Sequence, residues 1–234
     1  MNYYGSREHT EELKDYQERL FSKCTFDFPS SEYALDEDYK VKSYDLIDES
    51  TRKPLHVPDS ARINRLYRKE AFIFEWRYTG GHDRRASIIH HANGKEYLVF
   101  YENLYGYSVL DLTSMKTANY IPRESSIHDE RFEETFIWVV PHYDPFNSLL
   151  AVEGCIWAAP YSIVVLDFSD PMQIIEAGRW ADLDYDRLRE VYNETYDEFK
   201  AWTQDALICT NGIISKKDIL KKIAQWRGYG IYGK

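Results

Sequence analysis

The stretch that decides the fold is YLVFYENLYGYSVLDL at residues 97–112, together with its counterpart LLAVEGCIWAAPYSIVVLDF at residues 149–168. Each stretch holds two apolar runs rich in β-branched and aromatic residues, and the second run carries a Val-Leu-Asp tripeptide. Runs of this length and composition, separated by a short connection, are typical of paired strands. The two stretches therefore predict two antiparallel hairpins.

Further runs extend each hairpin into a unit of four strands. Asn93-Gly94 separates two apolar runs, and Asp144-Pro145 opens a turn in the second unit, so both positions favour tight reversals of the chain. The first unit is predicted at 86–91, 97–101, 107–112 and 118–121, and the second at 135–141, 149–152, 163–168 and 173–177. The expected fold class is α+β and mainly β, an antiparallel meander of two four-strand repeat units with N-terminal and C-terminal helices.

The two units resemble blades of β-propellers of the WD40-like kind over residues 85–178. YLVFYE at 97–102 aligns with LLAVEG at 149–154, and YSVLDL at 107–112 aligns with IVVLDF at 163–168. No Trp-Asp signature dipeptide is present. Closed propellers need about four blades or more, and two copies are visible. The expectation is an open propeller-like or sandwich-like sheet, and a small closed propeller is the alternative.

The flanking regions carry helical periodicity. Helices are predicted at 7–22, at about 182–202 and at about 215–226, the last with its lysines facing solvent. A hairpin is expected from Tyr39–Ile47 and Arg52–Val57, and Ala71–Tyr78 reads as a strand. The expected organisation is an N-terminal helix with irregular and edge-strand structure (1–70), the β-meander core (71–180) and a C-terminal helical region (181–234), in one globular unit.

The composition of the chain limits which classes of function and partner are expected. The net charge of −10 disfavours nucleic acid as a general partner, because phosphate binding relies on Lys and Arg. Residues 211–234 nevertheless carry six Lys and Arg against one Asp, so the rest of the chain sums to −15. No apolar run is long enough for a membrane helix, and the N-terminus lacks signal-peptide features. Three widely spaced cysteines suggest neither a disulfide framework nor a zinc site. A cytoplasmic location without a membrane partner is expected.

Because successive strands of a meander run in opposite directions, the long connections, which are mixed in composition, are expected at one end of the sheet. In a four-strand meander the tight first and third turns share one end, and the connections between the second and third strands share the other end with the links to the next unit. Loops on a rigid scaffold are where binding groups tend to lie. The candidate binding residues on this rim are His82, Asp83, Glu102, Tyr105, His128, Asp129, Glu153, Trp157 and Tyr161.

The apolar loop from Gly154 to Tyr161 has two interpretations. It could fold over an open end of the core, or it could present Trp157 and Tyr161 as an aromatic contact surface. Elsewhere, His90 and His91 are adjacent on a strand and point to opposite faces, so they cannot share a metal. Asp144 is interpreted as a cap of its own turn. The sequence predicts no metal site, no cofactor and no named catalytic residue.

Three hypotheses about function follow. The first is a non-enzymatic binding protein that holds a protein partner through this aromatic and acidic rim, in the manner of an immunity protein that neutralises a basic toxin. The second is a hydrolase or isomerase whose acid–base groups are the His, Asp and Glu residues of the same rim. The third is a structural module of a larger assembly, with the basic terminal helix as its docking element. Oligomeric state and partner identity are not specified by the sequence.

Overall fold

The computed structural model describes residues 7–22, 24–53, 61–80, 85–104, 107–120, 137–155, 162–172 and 198–228. Within these ranges the chain is mainly β, with helices α1 (Arg7–Phe21) and α2 (Lys216–Gly228). The strands are β1 (Cys24–Thr25), β2 (Ser31–Ala34), β3 (Tyr39–Asp45), β4 (Ile47–Asp48), β5 (Ala61–Arg68), β6 (Ala71–Thr79), β7 (Ser87–His90), β8 (Glu96–Phe100), β9 (Tyr107–Asp111), β10 (Lys116–Tyr120), β11 (Ile137–Asp144), β12 (Leu149–Cys155), β13 (Ser162–Asp167), β14 (Phe199–Trp202), β15 (Ala206–Cys209) and β16 (Gly212–Ser215).

Within the described residues, the strands form several antiparallel sheets that do not close into one barrel. Sheet 1 has the order β2-β3-β5-β6, and sheet 2 has the order β10-β9-β8-β7. Sheet 3 is β11-β12-β13, sheet 4 is β14-β15-β16, and β1 pairs with β4 separately. Sheet 2 contains the four strands predicted for the first unit. Three strands of the second unit form sheet 3, and its fourth predicted strand, 173–177, lies outside the described residues.

Both predicted hairpins are present, and they share one register. Tyr97 pairs with Asp111 in sheet 2, and Leu149 pairs with Asp167 in sheet 3. These are the positions that the sequence alignment of the two stretches makes equivalent. Each aspartate also accepts backbone hydrogen bonds from the turn that follows, with Thr113 N 2.8 Å from Asp111 Oδ1 and Ser169 N 3.1 Å from Asp167 Oδ1. The shared aspartate therefore stabilises the turn after the hairpin.

The sheets pack face to face in chain order, so the core is a series of layers. One face of sheet 1 packs on α1, and its other face packs on sheet 2. The second face of sheet 2 packs on sheet 3, and the second face of sheet 3 packs on sheet 4 and α2. Strands covered on both faces read as continuous apolar runs. This explains why β8, β9, β12 and β13 give the clearest signals in the sequence.

Sheet 1 differs from the hairpin expected in the N-terminal region. Tyr39–Asp45 pairs with β2 and β5, whereas the hairpin prediction paired this segment with 52–57. Arg52 and Lys53 instead close a turn on Asp48, whose backbone oxygen accepts Arg52 N at 2.8 Å. Residues 54–57 lie outside the described residues. Because β6 pairs with β5, sheet 1 contains residues from both sides of position 70.

The predicted helix at about 182–202 is wrong at its C-terminal end, where Phe199–Trp202 is strand β14. Residues 182–197 lie outside the described residues. The register of β14 shifts between Phe199 and Ala201, which pair with Cys209 and Ile208. A β-bulge adds one residue and places side chains three apart on the same face. The bulge thus brings Phe199 and Trp202 onto one apolar cluster at a spacing that imitates a helix.

Helix α2 confirms the predicted terminal helix but not the exposure of all its lysines. Ile219 and Ile223 are buried, as the apolar periodicity indicates. Lys216 is also buried, because its side chain turns inward toward sheet 3. In the described part of the chain, no helix combines the length and the apolar character that crossing a bilayer requires.

Candidate functional site

Of the nine predicted rim residues, the structure describes two, Glu102 and Glu153. The other seven, which are His82, Asp83, Tyr105, His128, Asp129, Trp157 and Tyr161, lie outside the described residues. Glu102 follows β8, and Glu153 lies within β12, so the two carboxylates occupy the corresponding ends of the two hairpins. Glu102 lies between sheet 1 and sheet 2, whereas Glu153 lies between sheet 3 and sheet 4.

Glu102 lies where α1 and sheet 1 meet sheet 2. Its backbone oxygen accepts Gln17 Nε2 at 2.9 Å and Thr79 N at 3.1 Å. Its carboxylate accepts Ser108 Oγ at 3.4 Å. Burial raises the pKa of Glu102 above its usual value, and the charge of Lys14 and the Ser108 hydrogen bond oppose that shift. These contacts tie three elements together through one residue.

Glu153 joins sheet 3 to sheet 4 together with a histidine of the adjacent strand. His142 on β11 pairs with Ala151, so it shares a face with Glu153 as a diagonal cross-strand neighbour. His142 Nε2 lies 3.1 Å from Glu153 Oε2, and the other carboxylate oxygen accepts the backbone N–H of Phe199. The Phe199 ring stacks on the imidazole with centroids 3.9 Å apart and planes inclined by 9°. His142 and Glu153 are both half-buried, and Phe199 holds both of them, through ring stacking on His142 and a backbone hydrogen bond to Glu153.

A buried ion pair lies beside this group. Lys216 Nζ on α2 is 2.8 Å from Asp144 Oδ2 at the end of β11, and the two side chains are 4% and 0% exposed. Asp144 also accepts Phe146 N at 3.1 Å, which confirms its predicted role as a turn cap. The Lys216 ammonium lies 5.0 Å from the Phe146 ring centroid and 5.1 Å from that of Trp202. The cation therefore holds two aromatic rings as well as one carboxylate.

These contacts define an aromatic strip, which consists of His142, Phe146, Phe199 and Trp202. Phe199 and Trp202 are in edge contact at 6.3 Å, and Trp202 Nε1 donates to the backbone oxygen of His142 at 3.0 Å. Phe146 is 65% exposed, and the other three side chains are half-buried. The strip thus presents apolar area to solvent while hydrogen bonds and the Lys216 ion pair fix its members.

His90 and His91, at the end of β7, have separate contacts, as their adjacent positions predict. His90 is exposed, with its ring nitrogens 3.1 Å from Asp36 and 3.2 Å from Glu96. His91 is buried, with Nδ1 accepting Asn93 N at 3.1 Å and Nε2 2.9 Å from Phe168 O. In the described ranges, no three or more His, Cys, Asp or Glu side chains are grouped as a metal would require.

Only part of this arrangement can be predicted from the sequence. The sequence predicts Glu153 as a rim residue and Asp144 as a turn cap, and both contact members of the strip. Phe199 and Trp202 fall within the predicted helix at about 182–202, and Lys216 is among the lysines that the predicted terminal helix places toward solvent. A signal was available at Lys216, since it precedes Ile219 and Ile223 at the spacing of one helix face. Its carboxylate partner, which lies 72 positions earlier in the chain at Asp144, gives no local signal.

Comparisons with known proteins do not place this chain in a family. No protein-family model matches the chain, and no solved structure matches it. The uncharacterized protein R762 of Acanthamoeba polyphaga mimivirus is 33% identical over 69 residues. That match covers 30% of this chain and 24% of the viral protein, so it spans about a quarter of the curated relative.

Proposed function

We propose that this chain is a non-enzymatic binding protein that holds a basic protein partner. The observation that carries the proposal is the aromatic strip, where an exposed Phe146 is fixed over the buried Lys216–Asp144 pair. Aromatic side chains held in place before binding lose little conformational entropy and are common anchors in interfaces. The net charge of −10 would favour encounter with a basic surface. An immunity-like neutralisation of such a partner fits this combination.

The rim residues of the connecting loops belong to the same proposal. Tyr105, Trp157 and Tyr161 would add aromatic contacts, and the acidic and histidine side chains of the rim would add polar ones. Glu153 supports this assignment, because of the two rim residues that the structure describes it is the one that contacts the aromatic strip. A cytoplasmic location is part of the proposal, and an odd number of widely spaced cysteines supports it.

For the architecture we propose an open, propeller-like series in which sheets 2 and 3 are copies of one unit. Their hairpins share one register, and each third strand ends on an aspartate that caps the next turn. The face-to-face packing of successive meanders in chain order is also what a propeller requires. Such a scaffold would hold the strip and the rim loops rigidly.

Affinity capture from extract of the native cells tests the binding proposal. The baits are wild type, Phe146→Ser and Phe28→Ser, the last being a control because Phe28 is 84% exposed and outside the strip. Capture is run at about 0.1 M and about 1 M salt, where the Debye length is about 10 and 3 Å. We expect a basic protein with wild type and Phe28→Ser at the lower salt only. Equal recovery by Phe146→Ser, or recovery that salt does not change, would count against the proposal.

A hydrolase or isomerase is the second candidate, and the His142–Glu153 pair favours it. A carboxylate that orients an imidazole is ordinary general acid–base equipment. The test is turnover of chromogenic acyl and phosphoryl esters by wild type, His142→Asn and Glu153→Gln. Loss of a measurable rate in both variants would support catalysis. A wild-type rate equal to that of His142→Asn would reject it.

A further inference from the structure

His90, at the end of β7, lies between two carboxylates that belong to different sheets. Its Nε2 is 3.1 Å from Asp36 Oδ2, which lies between β2 and β3 of sheet 1. Its Nδ1 is 3.2 Å from Glu96 Oε1, at the start of β8 in sheet 2. A neutral imidazole has one N–H and one acceptor nitrogen, and a carboxylate can only accept. Both contacts are therefore favourable only when the ring carries two protons and a positive charge.

The other groups that face Glu96 keep one protonation state near neutral pH. Tyr39 Oη donates to Glu96 Oε2 at 2.7 Å, and burial together with this hydrogen bond raises the pKa of Tyr39 to about 12. Arg68 lies 3.9 Å from Glu96, and Lys95 pairs instead with Asp111 at 2.9 Å. Because arginine and lysine side chains stay charged near neutral pH, the histidine is the member of this group that changes charge there.

On the sheet 1 side, the neighbouring cations are engaged by a different carboxylate. Arg68 and Lys69 lie 3.7 and 3.9 Å from Asp38. In the described part of the chain, the ion-pair partner of Asp36 is His90 alone. The other oxygen of Asp36 accepts two backbone N–H groups at 2.8 Å each, which fixes the carboxylate in place. Loss of the charge on His90 therefore leaves the Asp36 contact without a replacement.

The opposite end of the same junction carries a second titratable group, the buried carboxyl of Glu102. Glu96 and Glu102 lie at opposite ends of β8, and the backbone oxygen of Glu102 accepts Thr79 N from the far end of β6. Burial raises the pKa of Glu102, while Lys14 of α1 and the hydrogen bond from Ser108 oppose the shift. A carboxyl whose pKa is raised on folding stabilises the protein fully at low pH, and this contribution is lost as the pH rises through the raised value.

We propose that the junction between sheets 1 and 2 is a pH-sensitive latch, closed when His90 is charged and Glu102 is protonated, and loosened when both have lost that proton. The two groups act in the same direction. Carboxylates around a histidine favour its charged form, so this contact also stabilises the protein at low pH and weakens as the pH rises. The part that loosens is sheet 1 with α1, because Gln17 of α1 donates to the same Glu102 oxygen.

Amide hydrogen exchange of the full chain tests the latch at about pH 5 and about pH 8, the span over which an ordinary histidine loses its charge. Protection is compared between β3 and β5 of sheet 1 and β12 and β13 of sheet 3, which serve as the reference within the same molecule. We expect the protection of sheet 1 to fall relative to that of sheet 3 as the pH rises. Where one proton is released on opening, the opening equilibrium changes about tenfold per pH unit.

Two near-isosteric variants separate the two groups. His90→Gln replaces the imidazole by a neutral side chain, and Glu102→Gln keeps the shape of the carboxyl without its charge. Each is expected to reduce the pH-dependent loss of protection, and the double variant is expected to abolish it. Glu75→Gln is the matched control for charge, because Glu75 pairs with Arg65 at 2.8 Å within sheet 1. It is expected to behave as wild type does.

Two results overturn the proposal. One is a wild type in which the protection of sheet 1 relative to sheet 3 is the same at both pH values, and this outcome does not depend on the folding of any variant. The other is a loss of protection in the double variant as large as that in wild type. No member of the latch belongs to the aromatic strip, so the binding function proposed above is tested separately.

Discussion

The buried Lys216–Asp144 pair makes a large and specific prediction about stability. Replacing Lys216 by Met keeps the length and the apolar stem of the side chain but leaves Asp144 charged and 0% exposed. Removing one partner of a buried pair costs about 3–5 kcal/mol. Asp144 keeps Phe146 N at 3.1 Å and Asn147 Nδ2 at 3.2 Å, so its charge stays partly satisfied. The expected loss therefore lies at the lower end, about 3 kcal/mol.

Urea unfolding of wild type and Lys216→Met measures this loss directly. For a chain of this length about 3 kcal/mol corresponds to a fall in Tm of about 6–12 °C. Lys217→Met is the matched control, because the neighbouring lysine is exposed and its replacement is expected to cost about 0.5 kcal/mol or less. In a double-mutant cycle with Asp144→Leu, the double variant is expected to be about 2 kcal/mol more stable than the sum of the single changes. A Lys216→Met variant as stable as Lys217→Met would refute the buried ion pair.

Three further predictions concern single residues of sheets 1 and 2. For Asp111, burial raises the pKa, but hydrogen bonds from a lysine and two turn residues outweigh it and hold the pKa at about 2, against 3.8 for the ordinary group. The free energy of unfolding of wild type should exceed that of Asp111→Asn by its full amount above about pH 4. This difference should disappear as the pH falls toward 2, where the carboxylate becomes protonated in the folded protein. A difference that does not change with pH would contradict this. His91→Phe keeps the packing but leaves the buried Phe168 oxygen unpaired, so urea unfolding should show a loss of about 1–3 kcal/mol, and an unchanged midpoint would contradict it. Gly80→Ala should lower Tm, because its Cβ would lie 2.7 Å from Leu104 N; an unchanged Tm would show that the backbone moves freely there.

The sequence could predict the strands that are buried on both faces. In β8, β9, β12 and β13, local composition and tertiary environment agree, because each strand lies between two neighbouring layers. Their turns also carry local signals, such as Gly94 at φ 81° and the capping aspartates after β9 and β13. These features give a signal within a short window of sequence, and the two hairpin predictions are confirmed.

The missed elements depend on partners that are distant in the chain. Strand β5 reads as polar, but Arg62 and Arg65 are paired across the sheet with Asp45 and Glu75. Their long side chains cover the sheet surface while their charges stay partly solvated. The bulge in β14 likewise depends on pairing with β15 and cannot be read from the apolar spacing of Phe199 and Trp202. The aromatic strip combines residues from β11, the turn after it and β14, and the lysine that contacts two of its rings lies on α2. No single window of sequence contains this arrangement.

Site-specific photocrosslinking from position 146 tests the binding function most directly. A benzophenone amino acid replaces Phe146 in one bait and Phe28, an exposed residue outside the strip, in another. Our account predicts that irradiation in native extract yields an adduct with a basic protein from position 146 alone, and that the adduct disappears at about 1 M salt. An adduct from position 28 but none from position 146, or the same adducts from both positions at either salt, would contradict it.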